Sequence, residues 1–243
     1  MPELTGQTVV LIGGSAGIGL ETARRARSEE ADVVLVGRDP AKLHRAADDV
    51  GTPHTAVVDA ADGAALKEFF DGLERVDHVL VTAGGPHYVP LLAMTAHEVH
   101  EALGDHVVMA LDVARCAAPK MPPGGTLVLM GGTGGKRVRK GLGMFAAATA
   151  VLPPFTAALA LELAPVRVNL IAAGFVDTPL SAALLGDDLE ARRQALRATL
   201  PIGRVVGPDD VAALAVHLMV NTALTGATYD IDGGQQFVPR PAG

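Results

Sequence analysis

The sequence is poor in the side chains most often used for unassisted chemistry. Its 243 residues include one cysteine, two tyrosines and no tryptophan. A single cysteine, Cys116, excludes an internal disulfide and any cysteine-rich metal site, so no metal is expected. Its ordinary use is as a small buried hydrophobe. Aromatic residues make up 3% of the chain and apolar residues 49%, so the core has to be built from Ala, Val and Leu. Positive charge is also short: 20 Lys and Arg against 27 Asp and Glu leave a net charge of −7. Neutralising phosphates takes a basic face, so nucleic acid is not an expected partner. The first residues, MPELTGQTVVLIGG, have no basic segment ahead of a long apolar run, so no signal peptide is expected. The most apolar stretch, 145–164, is about long enough to span a bilayer. It contains Pro153, Pro154 and Glu162 and is otherwise mostly alanine. It reads as a buried interface helix, and the chain as a soluble, cytoplasmic protein without a membrane partner.

What the chain does have is alternation. TVVLI (8–12), DVVLV (32–36), HTAVV (54–58), HVLVT (78–82), TLVLM (126–130), VRVNLI (166–171) and ATYDI (227–231) are short, nearly continuous apolar runs. Strands covered on both faces look like this. Helical patterns fall at about 17–29, 40–49, 62–73, 95–120, 143–164 and 208–220. Strand–helix repetition of this kind predicts an α/β fold, a Rossmann-like, doubly wound parallel sheet flanked by helices. No linker, repeat or low-complexity segment divides the chain, so residues 1–243 are read as a single domain.

The first strand runs into GGSAGIG, with Gly13, Gly17 and Gly19 spaced G-x-x-x-G-x-G. Glycines between a strand and a helix let backbone N–H groups approach a pyrophosphate, and the helix N-terminus adds the positive end of its dipole. Gly19 lets that helix pack closely on the sheet. An acidic residue ending the second strand would hold the ribose 2′-hydroxyl of NAD. Here Gly37 stands in that place and Arg38 follows. A guanidinium suits a 2′-phosphate, with Ser15 as a helper, so the expected cofactor is NADP(H).

With these residues in place, the chain resembles the short-chain dehydrogenase/reductase family over almost its whole length. The resemblance rests on the glycine turn (Ile12 where Thr is usual), VVDAAD with Asp59, VTAGG at 81–85 (Thr82 where Asn is usual), VRVNLIAAGFVDTPL at 166–180 (Ala173 where Pro is usual), PIGRVVGPDDVA at 201–212, and YDIDGG at 229–234. It implies a single Rossmann-type domain acting as an NADP(H)-dependent oxidoreductase on a small carbonyl, alcohol or activated C=C or C=N compound. It also implies that Gly13, Ser15, Gly17, Ile18, Gly19, Arg38, Asp59, Ala83, Gly84 and Thr178 form the cofactor site. The family's assembly would make the protein a homodimer or homotetramer.

The same resemblance marks an atypical active site. The family uses a tyrosine, a lysine one turn later, a serine and an asparagine. Those positions fall on Phe145, Thr149, Gly132 and His106. A missing general acid removes a contribution of about 10²–10⁴-fold. Three residues are candidate substitutes: His106, Tyr88 and Thr133. Each also has a plainer reading. His106 would satisfy an irregularity in its own helix, Tyr88 would cover apolar surface beside His87, and Thr133 would sit at a strand end by propensity. The rings of Pro153 and Pro154 should kink the helix just beyond Thr149. The loop GGKRVRKG (134–141) crowds Lys136, Arg137, Arg139 and Lys140 together. It reads either as solvated charge or as a seat for an anionic substrate. A redox-inactive cofactor-binding protein, acting as a sensor or partner subunit, is the competing expectation.

Overall fold

The structure, a computed structural model, describes residues 3–85, 89–136, 138 and 140–238. Its centre is one seven-stranded parallel sheet: β1 (Thr8–Ile12), β2 (Asp32–Gly37), β3 (Thr55–Val57), β4 (His78–Val81), β5 (Thr126–Gly132), β6 (Arg167–Ala173) and β7 (Thr228–Ile231). The spatial order is β3-β2-β1-β4-β5-β6-β7. The chain therefore reverses direction across the sheet between β1 and β4, which is where a doubly wound sheet opens a crevice at its carboxyl ends.

Helices α1 (Gly17–Ser28), α2 (Pro40–Val50), α3 (Gly63–Asp71), α4 (Ala96–Leu103), α5 (Met109–Ala117), α6 (Gly143–Ala150), α7 (Leu152–Glu162), α8 (Pro179–Leu185), α9 (Leu189–Thr199) and α10 (Pro208–Val220) complete the chain. Alternate residues of each strand face opposite layers. In β1, Val9 and Leu11 pack with Ala23 and Ala26 of α1 and Val211 and Ala215 of α10. Val10 and Ile12 pack on the other side with Phe70 of α3, Val113 of α5 and Leu159 of α7. Small helix residues let the layers lie close, which suits a chain with few aromatics. Cys116 lies partly buried against the second layer, and burial raises its thiol pKa.

Two expected helices are interrupted. The stretch expected at 95–120 divides at a π-helical turn, Gly104–Val108, between α4 and α5. The stretch expected at 143–164 breaks at Val151, separating α6 from α7. Pro153 and Pro154 then fall in the first turn of α7, where a missing N–H costs nothing. The 20 residues Gly143–Glu162 are long and apolar enough to cross a membrane by length and composition, with 39% of the best 18-residue window buried in the protein. Helices α8 and α9 were not expected from the sequence.

Candidate active site

Local geometry at the end of β1 is set by glycine. Gly13 has φ +93°, and a Cβ there would lie 2.6 Å from Thr82 Oγ1 and 2.8 Å from the Ala83 nitrogen. Thr82 in turn donates its hydroxyl to the carbonyl oxygens of Ile12 (3.1 Å) and Gly13 (3.2 Å). It thereby fixes the end of β4 to the glycine turn. Gly17, with φ +54°, opens α1. The N-cap of that helix, Ala16, supplies no side-chain acceptor, and its first turn holds no acid. By contrast, Asp39, Asp62, Thr95 and Thr178 cap α2, α3, α4 and α8 with their own side chains. The first turn of α1 therefore keeps its N–H donors and positive dipole end for a group outside the helix.

That turn borders a cleft of about 420 Å³ at the reversal point of the sheet. Nine of the ten expected cofactor residues line it: Gly13, Ser15, Gly17, Ile18, Arg38, Asp59, Ala83, Gly84 and Thr178. Gly19 does not. Its added Cβ would sit 2.4 Å from the Gly13 carbonyl oxygen and 2.8 Å from Thr82 Oγ1, so its role is close packing beneath the turn. The sequence reading missed Met109, Pro179 and Leu180, which also line the cleft. Asp59 is exposed, and its Oδ1 accepts from the Ala61 nitrogen at 3.1 Å. Arg38 is exposed at the end of β2 and the Ser15 hydroxyl stands close to Gly37. Thr178 caps α8 in a reciprocal pair with Ser181, and a Cβ on Gly17 would touch it at 3.5 Å. These residues fit a dinucleotide: an uncapped helix N-terminus for a phosphate, with a guanidinium and a carboxylate among the lining side chains.

Past Thr82–Gly85 the cleft runs on into a recess of about 130 Å³ lined by His106, Met109, Met130, Gly131, Phe145 and Leu152. Among the described residues, His106 is the only titratable group there. It is half-buried in the π-helical turn, with Nδ1 3.1 Å from the Ala102 carbonyl oxygen. A carbonyl only accepts, so Nδ1 is the donor and, in the neutral ring, Nε2 keeps the lone pair. The His106 ring meets Phe145 edge to face, centroids 6.4 Å apart.

Phe145 fills space that neighbouring glycines vacate. Cβ atoms added at Gly132 and Gly134 would each lie 2.7 Å from the ring. Thr149 is buried and turns its hydroxyl back onto its own helix, donating to the carbonyl oxygens of Phe145 (2.9 Å) and Ala146 (3.2 Å). It presents no polar group to the cleft. Thr133 is buried and lines a second cavity, of about 150 Å³, on the far side of Phe145. Tyr88, with His87, lies outside the described residues, as do Arg137 and Arg139 of the basic loop. Lys136 does not turn toward the cleft. It pairs with Asp230 of β7, which also accepts from Gln236 at 3.0 Å. Burial works against ionisation of that carboxyl, but the Lys136 and Gln236 contacts hold its pKa below the usual range.

Comparison with known proteins agrees with this geometry. The chain is 29% identical to a short-chain dehydrogenase/reductase, ATR9, of Stachybotrys chlorohalonatus, over 96% of this chain and 98% of the relative. It is also 29% identical to the cyclic-di-GMP-binding biofilm dispersal mediator protein of Escherichia coli, over 96% and 98%. The crystal structure of BdcA in complex with NADPH superposes with a TM-score of 0.86 at 26% identity, covering 96% of this chain and 95% of that one. A family model described as enoyl-(acyl carrier protein) reductase matches residues 13–236. The chain therefore belongs to the short-chain dehydrogenase/reductase family.

Proposed function

We propose that the protein is an NADP(H)-dependent oxidoreductase that moves a hydride to or from a small carbonyl, alcohol or activated C=C or C=N compound, using a non-standard proton donor. The observation that carries this reading is the uncapped first turn of α1 opening on a cleft that Arg38, just beyond β2, also lines. NADPH is the hydride source in such chemistry. The chain's own part is to orient and to handle the proton. Phe145 and Thr149 are taken to occupy the family's tyrosine and lysine positions, and neither can transfer a proton: one is a hydrocarbon ring, the other a hydroxyl held by its own helix. His106 is the titratable residue on the described part of the recess. Simple ketones, whose developing alkoxide needs an acid, should be poor substrates. Iminium ions and conjugated acceptors need less help.

The second reading is a cofactor-binding protein without redox turnover. Phe145 packed into the space of Gly132 and Gly134 favours it, because the ring leaves no room for a hydroxyl at Gly132. One E. coli relative is likewise named for a nucleotide it binds. Titrating NADPH and NADH by fluorescence, while following NADPH absorbance against carbonyl, imine and enone panels, separates the readings. Equal affinity, or NADH ahead, sinks the NADP(H) assignment. Tight NADPH binding with no turnover on any panel selects the second reading.

A further inference from the structure

We infer that the cavity behind Phe145 is a ligand site of its own, built for a molecule of about one aromatic ring that carries a hydrogen-bond acceptor, which the Thr133 hydroxyl meets. Its volume, about 150 Å³, is that of a cavity able to hold a benzene ring. Phe145 and Phe175 supply aromatic walls, and Leu142 and Ala173 extend the apolar surface. Walls of this kind favour a flat ring.

Thr133 supplies the polar end. It is 8% exposed, and its hydroxyl makes no hydrogen bond among the described residues. A buried hydroxyl without a partner is unfavourable, and an acceptor arriving in the cavity relieves it. The other polar side chains on the wall already have partners. Arg192 lies over the Phe175 ring, 5.6 Å from its centroid. Gln235 accepts from the Phe175 nitrogen at 2.9 Å, and Gln236 donates to Asp230 at 3.0 Å. Phe145 separates this cavity from the recess that continues the dinucleotide cleft. Of their described lining residues, the two share only Phe145. Its ring lies tight against the backbone of its neighbours, since a Cβ on Gly132 or Gly134 would come within 2.7 Å of it. A molecule seated against Thr133 is therefore held off the recess by the ring, and is bound without being the group that receives a hydride.

The test is NMR titration of the full chain with acetophenone and with its carbon isostere α-methylstyrene. Thr133→Val should weaken acetophenone about two- to tenfold, the net worth of one neutral hydrogen bond, and should not weaken α-methylstyrene. Thr133→Ser keeps the hydroxyl and should retain acetophenone. Acetonaphthone, one ring larger, should bind only after Phe145→Ala joins the two cavities. With NADPH present, bound acetophenone should not be reduced. Failure of acetophenone to bind, or an equal effect of Thr133→Val on both ligands, overturns the inference. So does equal behaviour of acetonaphthone toward the unmodified protein and Phe145→Ala, which would remove the wall. Reduction of acetophenone overturns it too, because the cavity would then be open to the hydride. Binding of acetophenone through Thr133 in a protein that takes no NADPH would instead overturn the cofactor reading and leave this site standing.

Discussion

At the scale of single residues, the site is a set of interlocked substitutions. Phe145 can lie where it does only because Gly132 and Gly134 carry no side chain. Gly132→Ser should therefore act as an overpacking mutation, costing about 1–3 kcal/mol in urea denaturation. The cost should shrink on a Phe145→Ala background, since the ring is what the new Cβ meets. An additive double-mutant cycle would mean that the two positions do not share this space. Arg38, just beyond β2, lines the cleft together with Ser15. Arg38→Asp should weaken NADPH by roughly 1.5–3 kcal/mol, the worth of a charged hydrogen bond, and raise the relative affinity for NADH. A fluorescence titration with both cofactors checks it, and an unchanged ratio would place the 2′-phosphate elsewhere.

At the scale of elements, the sequence was most legible where pattern and packing agree. The strands are double-sided apolar runs, and seven of them were read within about two residues of their observed ends. The glycine turn was legible because its spacing has a direct backbone meaning. Periodicity does not record a π-turn, so 95–120 read as one helix although it divides at Gly104–Val108. Helices α8 and α9 carry little apolar periodicity, because α8 buries no residue and α9 buries only Leu196. LEARRQALRAT, rich in good helix formers, was the available signal for α9. The π-turn gives His106 two separable roles. If it only satisfies the Ala102 carbonyl, His106→Ala should cost about 1 kcal/mol of stability and leave turnover intact. If its Nε2 also moves the proton, kcat should fall by about 10²-fold or more. Full activity in the variant assigns the proton to solvent or substrate.

At the scale of the whole molecule, two properties follow from what the fold buries and what it leaves out. Val151 and Leu161 stay exposed on the α6–α7 stretch, as do Val108 and Leu111 near α5. A symmetric homo-oligomer is expected from such apolar surface, and a monomer by light scattering at micromolar concentration would refute it. The second property concerns acid stability. His78 opens β4 in the interior, with Nε2 2.6 Å from Gln7 Oε1 and Nδ1 buried without a hydrogen-bond partner among the described residues. The amide oxygen accepts, so Nε2 carries the proton and Nδ1 the lone pair. Burial lowers the pKa from 6.5 to about 4; Asp77 opposes the shift and Arg167 adds to it. The unfolded chain therefore binds a proton at His78 that the folded chain refuses between about pH 6.5 and 4. Stability is complete above that window and falls as pH drops through it. Asp39, Asp71, Asp210, Glu190 and Asp230 have lowered pKa values, so their stabilisation is kept at pH 5 and lost only in more acid solution. Moving from pH 7 to pH 5 should then cost the protein about 2 kcal/mol through His78. His78→Asn, which cannot take up a proton, should lower stability at pH 7 but flatten the slope between those two values. Urea midpoints at both pH values for both proteins decide it: a slope that persists unchanged in the variant would move the acid sensitivity to another group.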